Sequence, residues 1–343
     1  MALFYLTTDS LIAFKSAMLT CFGLFFMTVL KLLYKDGRPF WIHPEVRSYD
    51  CAFDFAGPSY HLFIISFFWF YNIIMYCMKY VERVNTSLVN FLVLALVLFM
   101  AWLLIAGLYT GTSFLYQNVV GMIYGLMYLV LCLNFDREIH KMCEKAGFIV
   151  QSSRKHKFYL FFLCIGLFAA CLVFYNCEVD NWTMPQEWVV NVSDKRCIEE
   201  LLSSSNNRLG LDQTFFFTAI LFYIIGMGFG TSYSLVHVDC LDWVHTSVAK
   251  RIARGFLGCI IMAGVYIGLL YIPCYDNPTR YFFHCALPSL GLSLFNYGIF
   301  PIICQKINLV DFSNGLPQTI NTKDEKAAET KAEEKGLKKV DTK

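Results

Sequence analysis

Residues 88–108, LVNFLVLALVLFMAWLLIAGL, carry no charge and a single amide. A bilayer's hydrocarbon core, about 30 Å thick, is crossed by roughly 20 apolar residues in a helix. Lipid offers no partner to a backbone N–H or C=O, so a lipid-facing stretch of this length must bond within itself. It therefore predicts a membrane span. Seven other stretches have the same character, at 11–34, 61–78, 114–133, 158–175, 213–236, 255–273 and 285–304. The expected fold is all-α, a polytopic membrane bundle of about eight transmembrane helices.

Composition agrees. Of 343 residues, 57% are hydrophobic and 16% charged, too few polar groups to coat a soluble globule. A net charge of +2 gives no electrostatic reason to expect a nucleic-acid partner, and membrane lipids are the expected surroundings. Eight Lys and seven acidic residues crowd into 305–343, which separates a charged cytoplasmic tail, disordered or a short helix, from a membrane domain over 1–304. The first stretch is too long for a signal-peptide core and lacks a clear small-residue cleavage site, so it reads as a retained span. Its Lys15 lies near one end, within snorkelling reach of the interface.

Loop charge sets the expected orientation, because Lys and Arg collect on the cytoplasmic side. Residues 134–157 contain Arg137, Lys141, Lys145, Arg154, Lys155 and Lys157, and the segment after the sixth stretch adds Lys250, Arg251 and Arg254. With both placed in the cytoplasm, both termini follow. Residues 35–60, 109–113, 176–212 and 274–284 then face a lumen or the outside. Two glycosylation sequons, at Asn181 and Asn191, fall in the longest of these segments, whereas Asn85 faces the cytoplasm. Of 14 cysteines, only Cys51, Cys177, Cys197, Cys274 and Cys285 lie near the oxidising face. A Cys177–Cys197 bridge is the favoured pairing. No Cys or His spacing suggests a metal site, and no cofactor is expected.

Chemistry concentrates where the first span ends, in KLLYKDGRPFW, residues 31–41. Lys31 and Arg38, seven apart, can converge on one anion once Gly37 and Pro39 turn the chain, with Lys as a point charge and Arg as a fork. The plainer alternative makes these cations interfacial anchors. On the same face GPSYH, residues 57–61, opens the next span. Its helix N-terminus at Ser59 favours an oxyanion, and His61 adds a proton donor. Taken singly, Ser59 is an N-cap and His61 an interfacial residue.

Lys, six residues, then Arg-Pro, followed by Pro-Ser-x-His, resembles the type 2 phosphatidic acid phosphatases, a superfamily that includes lipid phosphate phosphatases, glucose-6-phosphatase and vanadium haloperoxidases. The resemblance implies a helical core over about 11–133, with extra spans over 158–304. It also implies a phosphate ester or phospholipid headgroup bound by Lys31, Arg38 and Ser59, with His61 protonating the leaving group. The third family motif, Ser-Arg-x5-His, is absent. A gapless placement over residues 106–121 keeps the family's Tyr109, Gly111, Gln117 and Gly121, but sets the family arginine on Gly107 and its nucleophilic histidine on Ser113. A Ser hydroxyl needs a base that none of its neighbours supplies. Tyr60 replaces the family glycine and adds bulk beside His61.

The expectation is hence a family member that binds phosphate, with hydrolysis weak or lost, in the endoplasmic reticulum or another endomembrane with its site lumenal. Two alternatives stay open. One is an active, divergent phosphatase using Ser113 or a borrowed His43 or His284. The other is a structural or transport subunit on the same scaffold. His140, His156, His237 and His245 fall across the membrane from Lys31.

Overall fold

The computed structural model describes residues 10–46, 49, 51–80, 85–145, 154–179, 181–193, 209–237, 246–272 and 277–309. Among them there is helix and no strand. Among the described residues, eight helices are long and apolar enough to cross a membrane. We label the helices α1 (Ser10–Tyr34), α2 (Pro39–Ile42), α3 (Tyr60–Lys79), α4 (Thr86–Tyr109), α5 (Leu115–Asn134) and α6 (Asp136–Lys145). The second half holds α7 (Arg154–Val179), α8 (Gln186–Ser193), α9 (Gly210–Ser234), α10 (Val248–Leu270) and α11 (Asn277–Lys306). The chain is a helical membrane protein. The charged tail beyond Leu309 lies outside the described residues.

Helix α1 is the axis of the bundle. Ala13, Phe14, Ala17, Met18, Cys21 and Met27 are buried on it, and so are Ser16, Thr20, Thr28 and Lys31. The hydroxyls are satisfied within the helix, Thr20 Oγ1 donating to the Ser16 carbonyl at 2.6 Å and Thr28 Oγ1 to the Leu24 carbonyl at 2.9 Å. Such back-bonding gives a hydroxyl in an apolar interior the hydrogen-bond partner that offsets its desolvation. Lys15 does not snorkel. It is 3% exposed, and its ammonium meets Asp136 Oδ1 at 2.7 Å, an oxygen that also accepts from Tyr71 Oη at 3.0 Å. Partnered inside the bundle, the charge no longer needs the interface.

By contrast, α4 has no buried residue. Its apolar residues all round make it a peripheral helix whose solvent is lipid.

Close packing elsewhere relies on small residues. A Cβ at Gly121 of α5 would meet the Ser59 carbonyl oxygen at 2.5 Å, and one at Gly125 would collide with Ser66 and approach the Phe63 carbonyl oxygen to 2.8 Å. Two glycines four apart thus let α5 lie directly on α3, the device by which membrane helices approach closely. Gly226 and Gly230 do the same for α9 against α11, where Ser293 and Gly298 fill the space.

The helix boundaries differ from expectation at two places. Helix α10 begins at Val248, capped by Ser247, whose Oγ accepts from the Lys250 amide at 3.4 Å. Lys250, Arg251 and Arg254 are therefore helical. Arg254 is fully buried and donates to Thr246 Oγ1 and the Leu309 carbonyl, at 3.0 and 2.8 Å. Helix α11 begins at Asn277 and contains two π-helical segments, Tyr281–Ala286 and Phe295–Ile299.

Candidate functional site

One end of the bundle gathers the chemistry. Past Tyr34 the chain turns at Lys35, a non-glycine residue at φ 50°, whose ammonium is paired with Glu178 of α7. Arg38 caps α2, and Pro39 starts it, so the guanidinium is delivered by a short helix with fixed entry. The next loop is tied to this turn by the Ala56 amide on the Asp36 carbonyl at 2.9 Å, and to α9 by the Phe55 amide on Thr214 Oγ1 at 2.9 Å. Gln117, the first-turn amide of α5, then ties the parts together. Its Nε2 donates to the Gly37 carbonyl at 3.1 Å, and its Oε1 accepts from the Phe114 amide at 2.8 Å. Its own carbonyl accepts from the Ser59 amide at 3.1 Å.

The result is a cavity of about 580 Å³ whose walls include Lys31, Arg38, Ser59, Tyr60, His61 and Ser113. Gly107 stands behind Ser113, since a Cβ there would meet Ser113 Oγ at 2.6 Å and Asn118 Nδ2 at 2.9 Å. Residues drawn from three separate stretches of sequence thus converge at one mouth. His284 of α11 joins the wall, whereas His43 is exposed and sets its ring against the edge of Phe114, 6.0 Å between centroids.

The residue that dominates the site was not legible in sequence. Asp54 places one carboxylate oxygen 2.7 Å from Lys31 Nζ and the other 2.5 Å from an Arg38 terminal nitrogen. Its backbone carbonyl accepts from Arg38 Nε at 2.8 Å. Lys31 also donates to the Phe55 carbonyl at 2.6 Å, and its ammonium lies 3.9 Å above the centre of the Tyr60 ring. The remaining terminal nitrogen of Arg38 reaches the Thr112 carbonyl at 2.8 Å. Burial alone would raise the Asp54 pKa, but the opposite charges of Lys31 and Arg38 more than offset it and hold the carboxyl well below the usual range. Two cations that an anion would bridge are bridged already, by the protein's own carboxylate.

Tyr60 does not collapse the cavity. Its hydroxyl pairs with Thr28 Oγ1 at 2.9 Å and its ring packs on Phe217, 4.9 Å between centroids, so the bulk lines the wall beneath Lys31. Ser113 is buried, and its Oγ donates to the side-chain oxygen of Asn118 at 3.1 Å. An amide oxygen accepts that hydrogen bond but cannot take the proton, so Ser113 has no activating base there. Gly107 is not simply a missing arginine. The space beside it is filled by the Ser113–Asn118 pair.

Two other expectations resolve unequally. Cys177 is a free, exposed thiol, so the Cys177–Cys197 bridge is not formed; Cys197 itself lies outside the described residues. Among the described residues, Cys51 is the disulfide-bonded cysteine. It sits in the loop that carries Asp54, where a cross-link holds chain that no helix holds. Asn181 is exposed, whereas Asn191 lies in α8 with its Nδ2 donating to the Trp41 and Ile42 carbonyls at 2.9 and 3.2 Å. Among the described residues, no group of three His, Cys, Asp or Glu could hold a metal ion.

Comparison with protein families gives one finding: residues 12–141 match the model of the PAP2 superfamily. Over this stretch the chain is similar to the PAP2 superfamily. The PAP2 match takes in nearly all of α1 through the first half of α6 and ends before α7, so it contains Lys31, Arg38, Ser59, Tyr60, His61, Gly107 and Ser113 but not His284 or the candidate glycosylation and disulfide positions. No curated protein and no solved structure matches the chain. The walls contributed by Phe216, Ile220, Tyr266, His284 and Leu292 come from beyond the PAP2 stretch.

Proposed function

We propose that this protein keeps the phosphate-binding frame of its superfamily without turning over a phosphate ester, and that Asp54 is the resident anion of that frame. The site lies on the lumenal side of an endomembrane in this reading, with both termini cytoplasmic. One observation carries it, the bridging of Lys31 and Arg38 by the Asp54 carboxylate. A phosphate headgroup can enter only by displacing that carboxylate, and breaking a buried ion pair typically costs about 3–5 kcal/mol. Chemistry points the same way. The family nucleophile position is Ser113, hydrogen-bonded to an amide oxygen, and loss of a nucleophile commonly lowers turnover by about 10³-fold or more.

The test is phosphate release by the purified protein from phosphatidate, sphingosine phosphate and glucose 6-phosphate. Release at background, unchanged by His61→Ala, is expected. Hydrolysis that His61→Ala abolishes would overturn the proposal. A second reading has one observation in its favour, the presence of His284 in the cavity wall. It makes the protein a divergent phosphatase, for which quenching in alkaline detergent would trap an acid-labile phosphohistidine at His284.

A further inference from the structure

With its anion seat filled from within, the cavity still has a polar end, an apolar end and a volume of about 580 Å³. We infer that it binds a single-chain amphiphile with an uncharged, hydroxyl-bearing head. This rests on the reading that Asp54 occupies the seat.

Consider first what the polar end can offer. Lys31 is spent on Asp54, the Phe55 carbonyl and the Tyr60 ring. Three donors of Arg38 are spent on Asp54 and Thr112. The Asp54 carboxylate, held ionised, repels a second anion placed beside it. The other polar groups of the wall, among them Ser59, His61, His284 and Ser289, are of another kind. Ser59 Oγ has no hydrogen-bond partner among the described residues, and it can both donate and accept. His284 Nε2 lies 2.9 Å from the Ile272 carbonyl. A carbonyl only accepts, so Nε2 carries a proton, and the tautomer this selects has its lone pair on Nδ1. A hydroxyl and an imidazole lone pair suit a head that presents hydroxyls, not one that presents a dianion.

The apolar end fixes the rest of the ligand. Leu24 and Ile64 from the PAP2 stretch face Phe216, Ile220, Tyr223 and Leu292 from α9 and α11. No charged group lines this part. Phe217 and Tyr266 also border the cavity, at 46% and 42% exposure within spans, so part of its wall is made by residues that also face acyl chains. Ligand cavities of this size and lining hold a drug-sized apolar body with a few polar contacts.

The experiment uses full-length protein in nanodiscs and a diazirine-bearing monooleoylglycerol. Unlabelled monooleoylglycerol and oleoyl-lysophosphatidate, which share a chain and differ by the phosphate, serve as competitors. Expected are saturable labelling on α9 or α11 and competition at least tenfold stronger by monooleoylglycerol. Ile220→Trp and Leu292→Trp, each checked for monodispersity, should cut labelling severalfold, and Asp54→Asn should move the preference towards the lysophosphatidate. Non-saturable labelling overturns the inference, as does wild-type protein competed equally or better by the lysophosphatidate. The competition on wild type stands even if both tryptophan variants fail to fold. Hydrolysis of the lysophosphatidate by wild type would instead overturn the non-hydrolytic reading, so the two failures are distinguishable.

Discussion

A single carboxylate sets the character of the site. Asp54 neutralises one of the two cations that the sequence pattern marks, and it does so with both oxygens. Asp54→Ala strands two buried cations and should lower stability by about 3–5 kcal/mol, read as a drop in melting temperature in detergent. The pH dependence has a definite sign. Because the Asp54 pKa is depressed on folding, its contribution is complete above the unfolded value of about 4 and is lost as acidification proceeds below it. Melting temperature measured against pH should therefore show an acid-limb loss in the wild type that Asp54→Asn lacks, with no step from this group between pH 6 and 8. Lys31, Arg38, Ser59 and His61 were legible because fixed spacing betrays them. Asp54 was not, since an acid in an irregular loop 23 residues after Lys31 obeys no period. Ser113 lines the same cavity, but its hydrogen bond to Asn118 is a contact, not a pattern.

At the scale of helices, the spans were legible in number and order because hydrocarbon thickness fixes their length. Which helices press together was less so, though the glycines carry the signal. Gly121 of α5 meets the backbone of Ser59, while Gly264 and Gly268 of α10 have nothing within 4 Å. Gly121→Ala should push α3 away and cost about 1–3 kcal/mol by overpacking. Gly264→Ala should leave stability unchanged or raise it, since alanine is the better helix former. Melting of the two variants side by side checks the contrast. If both are equally tolerated, the close approach of α5 to α3 is not what holds Ser59 in place. The starts of α10 and α11 were misjudged because basic residues and a prolonged polar entry look like loop when read for hydropathy alone.

For the whole molecule, the two ends of the bundle are chemically distinct. One holds the cavity, α2, α8 and the Lys35–Glu178 pair. The other holds the Lys15–Asp136–Tyr71 cluster and buried Arg254. If the cavity end is lumenal, Asn181 should carry a glycan and Asn191 should not, because the Asn191 amide is committed to two carbonyls of α2. Endoglycosidase shifts of Asn181→Gln and Asn191→Gln check this, and a glycan on Asn85 alone would reverse the orientation. The contribution of α9 and α11 to the cavity could not be read from sequence, since nothing local in a hydrophobic span says which partner it closes upon.

The central claim, that Asp54 fills the phosphate seat, is tested most directly by the effect of inorganic phosphate on melting temperature. Ligand that binds only the folded state stabilises it by RT ln(1 + [L]/Kd). Phosphate should leave the wild type unmoved, raise the melting temperature of Asp54→Asn with the logarithm of its concentration above Kd, and lose that effect when Lys31→Gln is added. The same rise in the wild type, or an Asp54→Asn variant indifferent to phosphate, would contradict the account.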